Sequence, residues 1–210
     1  MPRRHVVITG TGRCGTSFLV ELLSNLGLDT GFAPENIEKF KSKLARAGLE
    51  HDIRNPNAPY IVKTPWFCDY ADEVVARDDI QIDHVFIPMR DLKAAAESRR
   101  FVTASAVRKM PLLKRIRFNL FPKHIDGGVT VSAGQQETEL LRQVYDLTLA
   151  LSKTMIPVTL MRFPQIVEDA SYLFQKLQPI LDDITFPEFE TTFTKVARRD
   201  LVHSFSENDR

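Results

Sequence analysis

Cysteine is scarce: Cys14 and Cys68 are the only two in 210 residues. Two are too few for a disulfide framework and show no metal-ligand spacing, so no metal is expected and a reducing compartment suits the composition. No run approaches the roughly 18 uninterrupted apolar residues that a membrane span requires. The start, MPRRHVVITG, holds too short an apolar stretch for a signal-peptide core. These absences lead to the expectation of a cytoplasmic protein. An excess of one charge is lacking as well, with 28 Lys+Arg against 27 Asp+Glu and a net charge of +1. A general nucleic-acid coat is therefore not expected, and attraction for an anion must come from local clustering.

What is present is an ordinary globular mixture, 43% hydrophobic and 26% charged, which excludes disorder and a coiled coil. The length fits one domain over residues 1–210, and no repeat or linker interrupts it. His5 to Thr9 is a β-branched run ending at Gly10, the pattern of a strand buried on both faces. Phe18, Leu19, Leu22, Leu23 and Leu26 then follow helical spacing up to Gly27, a glycine stop. Pro34 opens a charged stretch that reads as a helix through about Ala47, with Gly48 as its end.

Further strands are expected at Tyr60–Val62, His84–Met89 and Pro157–Phe163, the second ending near Pro88 because proline removes a ladder donor. Helices are expected around Tyr70–Val75, from Asp91 to about Met110, and on the stripe Leu140, Val144, Leu147 and Leu151. Another stripe runs from Leu173 to Leu181, with Pro179 placed to kink or break it. Strand and helix alternate, so the fold class is α/β, with a mostly parallel central sheet flanked by helices and a ligand crevice at the strand carboxyl ends.

Gly10-Thr11-Gly12-Arg13-Cys14-Gly15-Thr16-Ser17 lies between the first strand and the first helix. Glycines there permit a compact turn with converging backbone N–H groups, and the helix amino end adds partial positive charge. Such a loop suits a phosphate. The nucleoside-triphosphatase loop ends in Gly-Lys-Ser/Thr, but here Thr16 stands in the lysine position and the cation is Arg13. A triphosphate–Mg²⁺ machine is disfavoured. Cys14, with no histidine near it in sequence, reads as a small loop residue rather than a nucleophile. Arg90 ends the third strand and Ser98 follows eight residues later, so a forked donor and a hydroxyl share one sheet edge.

Arg13-Cys14-Gly15-Thr16-Ser17-Phe18 after one strand, with Arg90-Asp91 and Ser98 after another, resembles the paired nucleotide-binding signatures of sulfotransferases that use 3′-phosphoadenosine 5′-phosphosulfate (PAPS). A third likeness, at Met161 to Asp169, departs from the family at Pro164-Gln165. The resemblance covers about residues 5–27, 60–100 and 155–182. It implies a three-layer domain of the P-loop type, with PAPS as co-substrate and no metal. It also implies that Gly12, Arg13, Cys14, Gly15, Thr16 and Ser17 hold the 5′-phosphosulfate, and that Arg90 and Ser98 hold the 3′-phosphate.

Sulfuryl transfer resembles phosphoryl transfer in relying on positioning and charge stabilisation. Negative charge builds on the bridging oxygen, where Arg13 and Lys63 are the expected cations. Lys63 also reads as an ordinary strand-end lysine. Lys63-Thr64-Pro65 stands where many family members have Lys-Thr-His, so the histidine base is replaced by proline. Glu35 is the candidate base, with a plain first-turn glutamate as its other reading. The expected acceptor is a small molecule, carbohydrate or lipid bearing a hydroxyl or amine.

Between Arg99 and Lys123 stand eight basic residues, Arg99, Arg100, Arg108, Lys109, Lys114, Arg115, Arg117 and Lys123, and no acidic one. Apolar residues interleave with them. The segment of about 99–134 thus reads as a lid, an acceptor-binding region, a membrane-surface contact or a solvated face. Two other readings of the whole chain remain. One is a small-molecule or nucleotide kinase of the same fold; the other is a nucleotide-binding module without catalysis.

Overall fold

The computed structural model describes residues 1–41, 48–109 and 135–199, the side chains of 103–109 excepted. Four parallel strands, β1 (Arg3–Ile8), β2 (Ile61–Lys63), β3 (Ile80–Met89) and β4 (Val158–Arg162), form one sheet in the order β2-β1-β3-β4. The described helices are α1 (Thr16–Asn25), α2 (Ala71–Val75), α3 (Leu92–Lys109), α4 (Gln136–Ser152), α5 (Gln165–Glu168), α6 (Ala170–Leu177) and α7 (Phe186–Val196). This is an α/β fold with three layers.

Strand periodicity builds the layers, because successive side chains leave opposite faces of the sheet. Val6, Ile8, Ile61, Phe86 and Met161 join Leu19, Leu22 and Leu23 of α1, Leu173 of α6, and Phe189 and Phe193 of α7 in one core. Val7, Val62, Val85 and Ile87 join Val74 of α2 and Leu147 and Leu151 of α4 in the other. Burial of each large apolar side chain contributes roughly 1.5–3 kcal/mol. Both faces of the central strands are therefore covered, as the continuous apolar run at Val6-Val7-Ile8 requires.

The strand order places the ligand crevice. From β1 the chain crosses to β2 on one side and then returns to β3 on the other. Connections thus diverge between β1 and β3, the position where α/β sheets open a crevice at their carboxyl ends. The loop after β1 and the turn after β3 both emerge there.

Pro88 lies one residue before the end of β3 at Met89, near the strand end as expected, and its position has a clear reason. Val85 N–H donates to Pro157 O on the β4 side, so residues 86 and 88 face β1. Thr9 N–H donates to Phe86 O at 3.0 Å. The next donor in register would be residue 88, and proline supplies none. The β1–β3 ladder stops there, and the chain turns out of the sheet at Gly10, whose added Cβ would lie 3.1 Å from Pro88 O.

Helix α1 ends as the glycine stop predicts. Gly27 adopts φ 82°, its N–H bonds Ser24 O at 3.1 Å, and Leu28 N–H bonds Leu23 O at 3.0 Å, which satisfies the last carbonyls. The charged helix expected from Pro34 to Ala47 does not form over its described residues, 34–41. A single 3₁₀ turn spans Ile37–Phe40, after which Lys41 becomes extended and pairs antiparallel with Gly48; residues 42–47 lie outside the described residues. The Lys41 ammonium is held by Glu21 at 2.7 Å and Glu38 at 2.6 Å, which favours the turn. Strand β3 begins earlier than its apolar run suggests, because Arg3 and Arg4 of β1 also pair with it. Pro179 ends α6 at Leu177, and the chain continues as a 3₁₀ turn at Gln178–Ile180.

The single domain proposed over residues 1–210 extends past the described residues. Among those described, no helix is long and apolar enough to cross a membrane. Truncation of the fully buried Phe86 to Ala is expected to destabilise the fold by about 3–5 kcal/mol. Leu160→Ala, at a side chain that is 54% exposed, is expected to change stability by less than about 0.5 kcal/mol. Urea unfolding of the two variants measures both values.

Candidate functional site

The loop from Gly10 to Ser17 bends through a series of left-handed residues: Gly12 at φ 67°, Arg13 at 61° and Gly15 at 89°. Such a conformation at Arg13, which has a Cβ, costs about 1–2 kcal/mol, and strain of this kind collects at functional sites. Gly15 is required twice over. Its φ is positive, and an added Cβ would stand 2.9 Å from Ile166 Cδ1 of α5 and 3.1 Å from Phe163 Cδ2. Helix α1 starts at Thr16, with no acidic residue in its first turn. Its free N–H groups and partial positive charge face the loop.

The two motifs identified in the sequence meet at this loop. Arg13 Nε donates to Ser98 Oγ of α3 at 3.2 Å, and Arg90 Nη1 donates to the Arg13 carbonyl at 3.1 Å. Ser98 is buried. The Arg90 guanidinium also lies over the Phe163 ring, 4.9 Å from its centroid. Burial pushes the Arg13 guanidinium below its usual value, and the neighbouring Arg90 charge adds to the shift. Burial lowers Arg90 too. Two guanidinium groups thus meet at one loop, where Cys14 and Asp91 oppose the effect of burial on Arg90.

Lys63 reaches the same loop from the end of β2. At 2% exposure it is not a surface lysine. Its ammonium donates to Ser17 Oγ at 2.9 Å, to Gly48 O, and to Glu50 Oε1 at 2.7 Å, so all three N–H bonds are used. Burial lowers its pKa, and Glu50 opposes that shift. Sequence reasoning missed Glu50. Its neighbourhood is set by Gly48, whose N–H bonds Glu50 Oε1 at 3.2 Å, and by His51, whose N–H bonds Lys63 O at 3.0 Å. That register along the sheet edge leaves no periodic signal in the sequence.

Glu35 is exposed in the turn before Ile37–Phe40, and the structure does not bring it to Lys63 or Arg13. Pro65 follows the buried Thr64, whose hydroxyl meets the Tyr70 hydroxyl. His84 lies within β3, with Nε2 2.7 Å from Thr159 Oγ1 and its ring 4.4 Å from Phe86, remote from this chemistry. Cys14 is fully buried, and burial pushes its thiol up. A buried, protonated thiol is a poor nucleophile. Gly12, Cys14 and Thr16 complete the loop, with Cys14 and Thr16 turned inward.

Arg99 is a second residue that the sequence did not single out, appearing only within the basic cluster. It is 4% exposed. Its Nη2 donates to Thr11 O of the loop and to Gln143 Oε1 of α4, the latter at 2.9 Å. Arg100 turns away and pairs with Glu97 at 2.8 Å and Glu137 at 3.2 Å. In the rest of the lid or acceptor region expected over 99–134, Phe101 is exposed and Val102 buried, while the side chains of 103–109 and residues 110–134 lie outside those described.

Four cations, Arg13, Lys63, Arg90 and Arg99, therefore converge on a glycine loop at a helix amino end. Chemically the arrangement suits an oxyanion such as a phosphate or sulfate ester. No protein-family model matches the chain, and no curated protein matches it. The Lys63–Glu50 pair gives a direct test of the geometry. Glu50→Ala leaves a buried ammonium without its counter-charge and is expected to destabilise the protein by about 3–5 kcal/mol. Lys63→Met in the same chain is expected to recover most of that loss in chemical denaturation.

Proposed function

We propose that the chain is a sulfotransferase that moves a sulfuryl group from PAPS to a hydroxyl or amine of a small-molecule, carbohydrate or lipid acceptor. The observation that carries this reading is the contact between the two motifs: Arg13 to Ser98 across 85 residues at 3.2 Å, with Arg90 on the Arg13 carbonyl. Two phosphate-suited anchors are thereby held side by side, as a donor with phosphates at both ends of its ribose requires.

When bound, the donor supplies the sulfuryl group. Its S–O bond to the bridging oxygen breaks with the electron pair staying on that oxygen, the acceptor atom bonds to sulfur, and adenosine 3′,5′-bisphosphate leaves. The residues of this chain hold and orient. The loop amides, that of Thr16 included, and Ser17 hold the 5′-phosphate, Arg90 and Ser98 hold the 3′-phosphate, and Arg13 stabilises the charge that grows on the bridging oxygen. Lys63 fixes Ser17 and adds positive charge behind the loop. The acceptor's proton passes to a carboxylate. Glu50, partly exposed and bonded to Lys63, supports that role better than the solvent-facing Glu35.

The Lys63–Ser17 bond also bears on the kinase reading. In nucleoside-triphosphatase loops the hydroxyl at this position binds Mg²⁺, at about 2.0–2.1 Å. Here an ammonium stands 2.9 Å from Ser17 Oγ. Like unit charges 4 Å apart repel by about 4 kcal/mol near a protein surface, and a divalent ion doubles that. Both cysteines are free thiols, which supports placing the activity in the reducing cytoplasm.

Calorimetric titration with adenosine 3′,5′-bisphosphate and with ATP–Mg²⁺, followed by transfer of labelled sulfate to an acceptor panel, tests the reading. Tight bisphosphate binding with sulfate transfer is expected. Preference for ATP–Mg²⁺ would overturn it in favour of a kinase, and bisphosphate binding without transfer would leave a non-catalytic module. Arg13→Ala is expected to slow transfer by a factor on the order of 10²–10³; unchanged turnover would remove its assigned role.

A further inference from the structure

Arg99 presents an unbalanced charge. Its side chain is buried, its Nη2 is bonded to Thr11 O and Gln143 Oε1, and its Nη1 is buried with no hydrogen-bond partner among the described residues. No carboxylate among those residues lies within ion-pair distance. Glu139 acts on it only through space, being hydrogen-bonded to Arg142 and to Gln143. Burial pushes its pKa down to about 10, so it remains charged at neutral pH. Burying an ion without full pairing is strongly unfavourable. A fold that keeps one directly behind a phosphate-suited loop has placed it against a charge of opposite sign.

The position fits that requirement. Nη2 would lie 3.7 Å from a Cβ placed on Gly12, so the guanidinium lies directly against the loop backbone. Gln143 fixes its outer side from α4, through a hydrogen bond that is neutral and leaves the charge available.

We propose that Arg99 is a positioning residue of the phosphate loop, holding its backbone at Thr11 while its buried charge is balanced by a phosphate or sulfate ester seated in the loop. This rests on the reading that the loop binds the 5′ end of the donor. Loop shape and anion binding are then coupled: the anion relieves the buried cation, and the cation keeps the loop in its binding form.

Two substitutions separate charge from tether. Arg99→Gln keeps an amide donor without charge, and Arg99→Lys keeps charge without the fork. Affinity for adenosine 3′,5′-bisphosphate, measured by calorimetry at several salt concentrations, is expected to fall about 10–100-fold in Arg99→Gln. In Arg99→Lys most of it returns, and the salt dependence is shallower in the Gln variant than in the wild type. Equal affinities in the two variants would overturn the charge role. Should Arg99→Gln not fold, Gln143→Leu, which releases the outer clamp, is expected to weaken binding severalfold, and unchanged binding there overturns the inference. Wild-type protein that fails to bind the bisphosphate overturns the sulfotransferase reading itself. Wild-type binding with insensitive variants overturns only the role of Arg99.

Discussion

The structure depends on the convergence of like charges in one crevice. Arg13, Lys63, Arg90 and Arg99 come from four different places in the chain, yet all meet the loop that follows β1. Burial lowers the pKa of each one. Lys63 is balanced by Glu50, whereas Arg99 bonds only a carbonyl and an amide oxygen among the described residues. Groups whose pKa is perturbed in this way concentrate at functional sites.

The sheet is what holds these charges together. Its two central strands are buried on both faces, and the order β2-β1-β3-β4 brings the ends of β1, β2 and β3 to one rim. Pro88 withdraws a donor from the β1–β3 ladder just where the chain must leave the sheet. Gly15 then lets the loop close against Phe163 and Ile166. The connection after β4, which supplies those two residues, thereby becomes the back wall of the site. A side chain at Gly15 would push against the rim itself, so the geometry of the loop and the packing of α5 are one problem.

Much of this was legible in the sequence. The β-branched run at Val6-Val7-Ile8, the glycines of the loop and the glycine after α1 each state their local structure through sterics. Arg90 and Ser98 follow from strand and helix periodicity. Glu50 and Arg99 do not, because their roles come from register and layer packing. Glu50 meets Lys63 through an irregular segment lying beside β2, and Arg99 is indistinguishable in sequence from Arg100, although one faces the loop and the other faces Glu97 and Glu137. The helix expected after Pro34 fails for a similar reason: composition favours it, but the pairing of Lys41 with Gly48 is a contact that no local pattern encodes.

The most direct test is a crystal structure of the protein with adenosine 3′,5′-bisphosphate. The account predicts the 5′-phosphate in the loop of residues 10–17 and the 3′-phosphate against Arg90 and Ser98. A nucleotide lying elsewhere, or one whose two phosphates do not span these anchors, would contradict it.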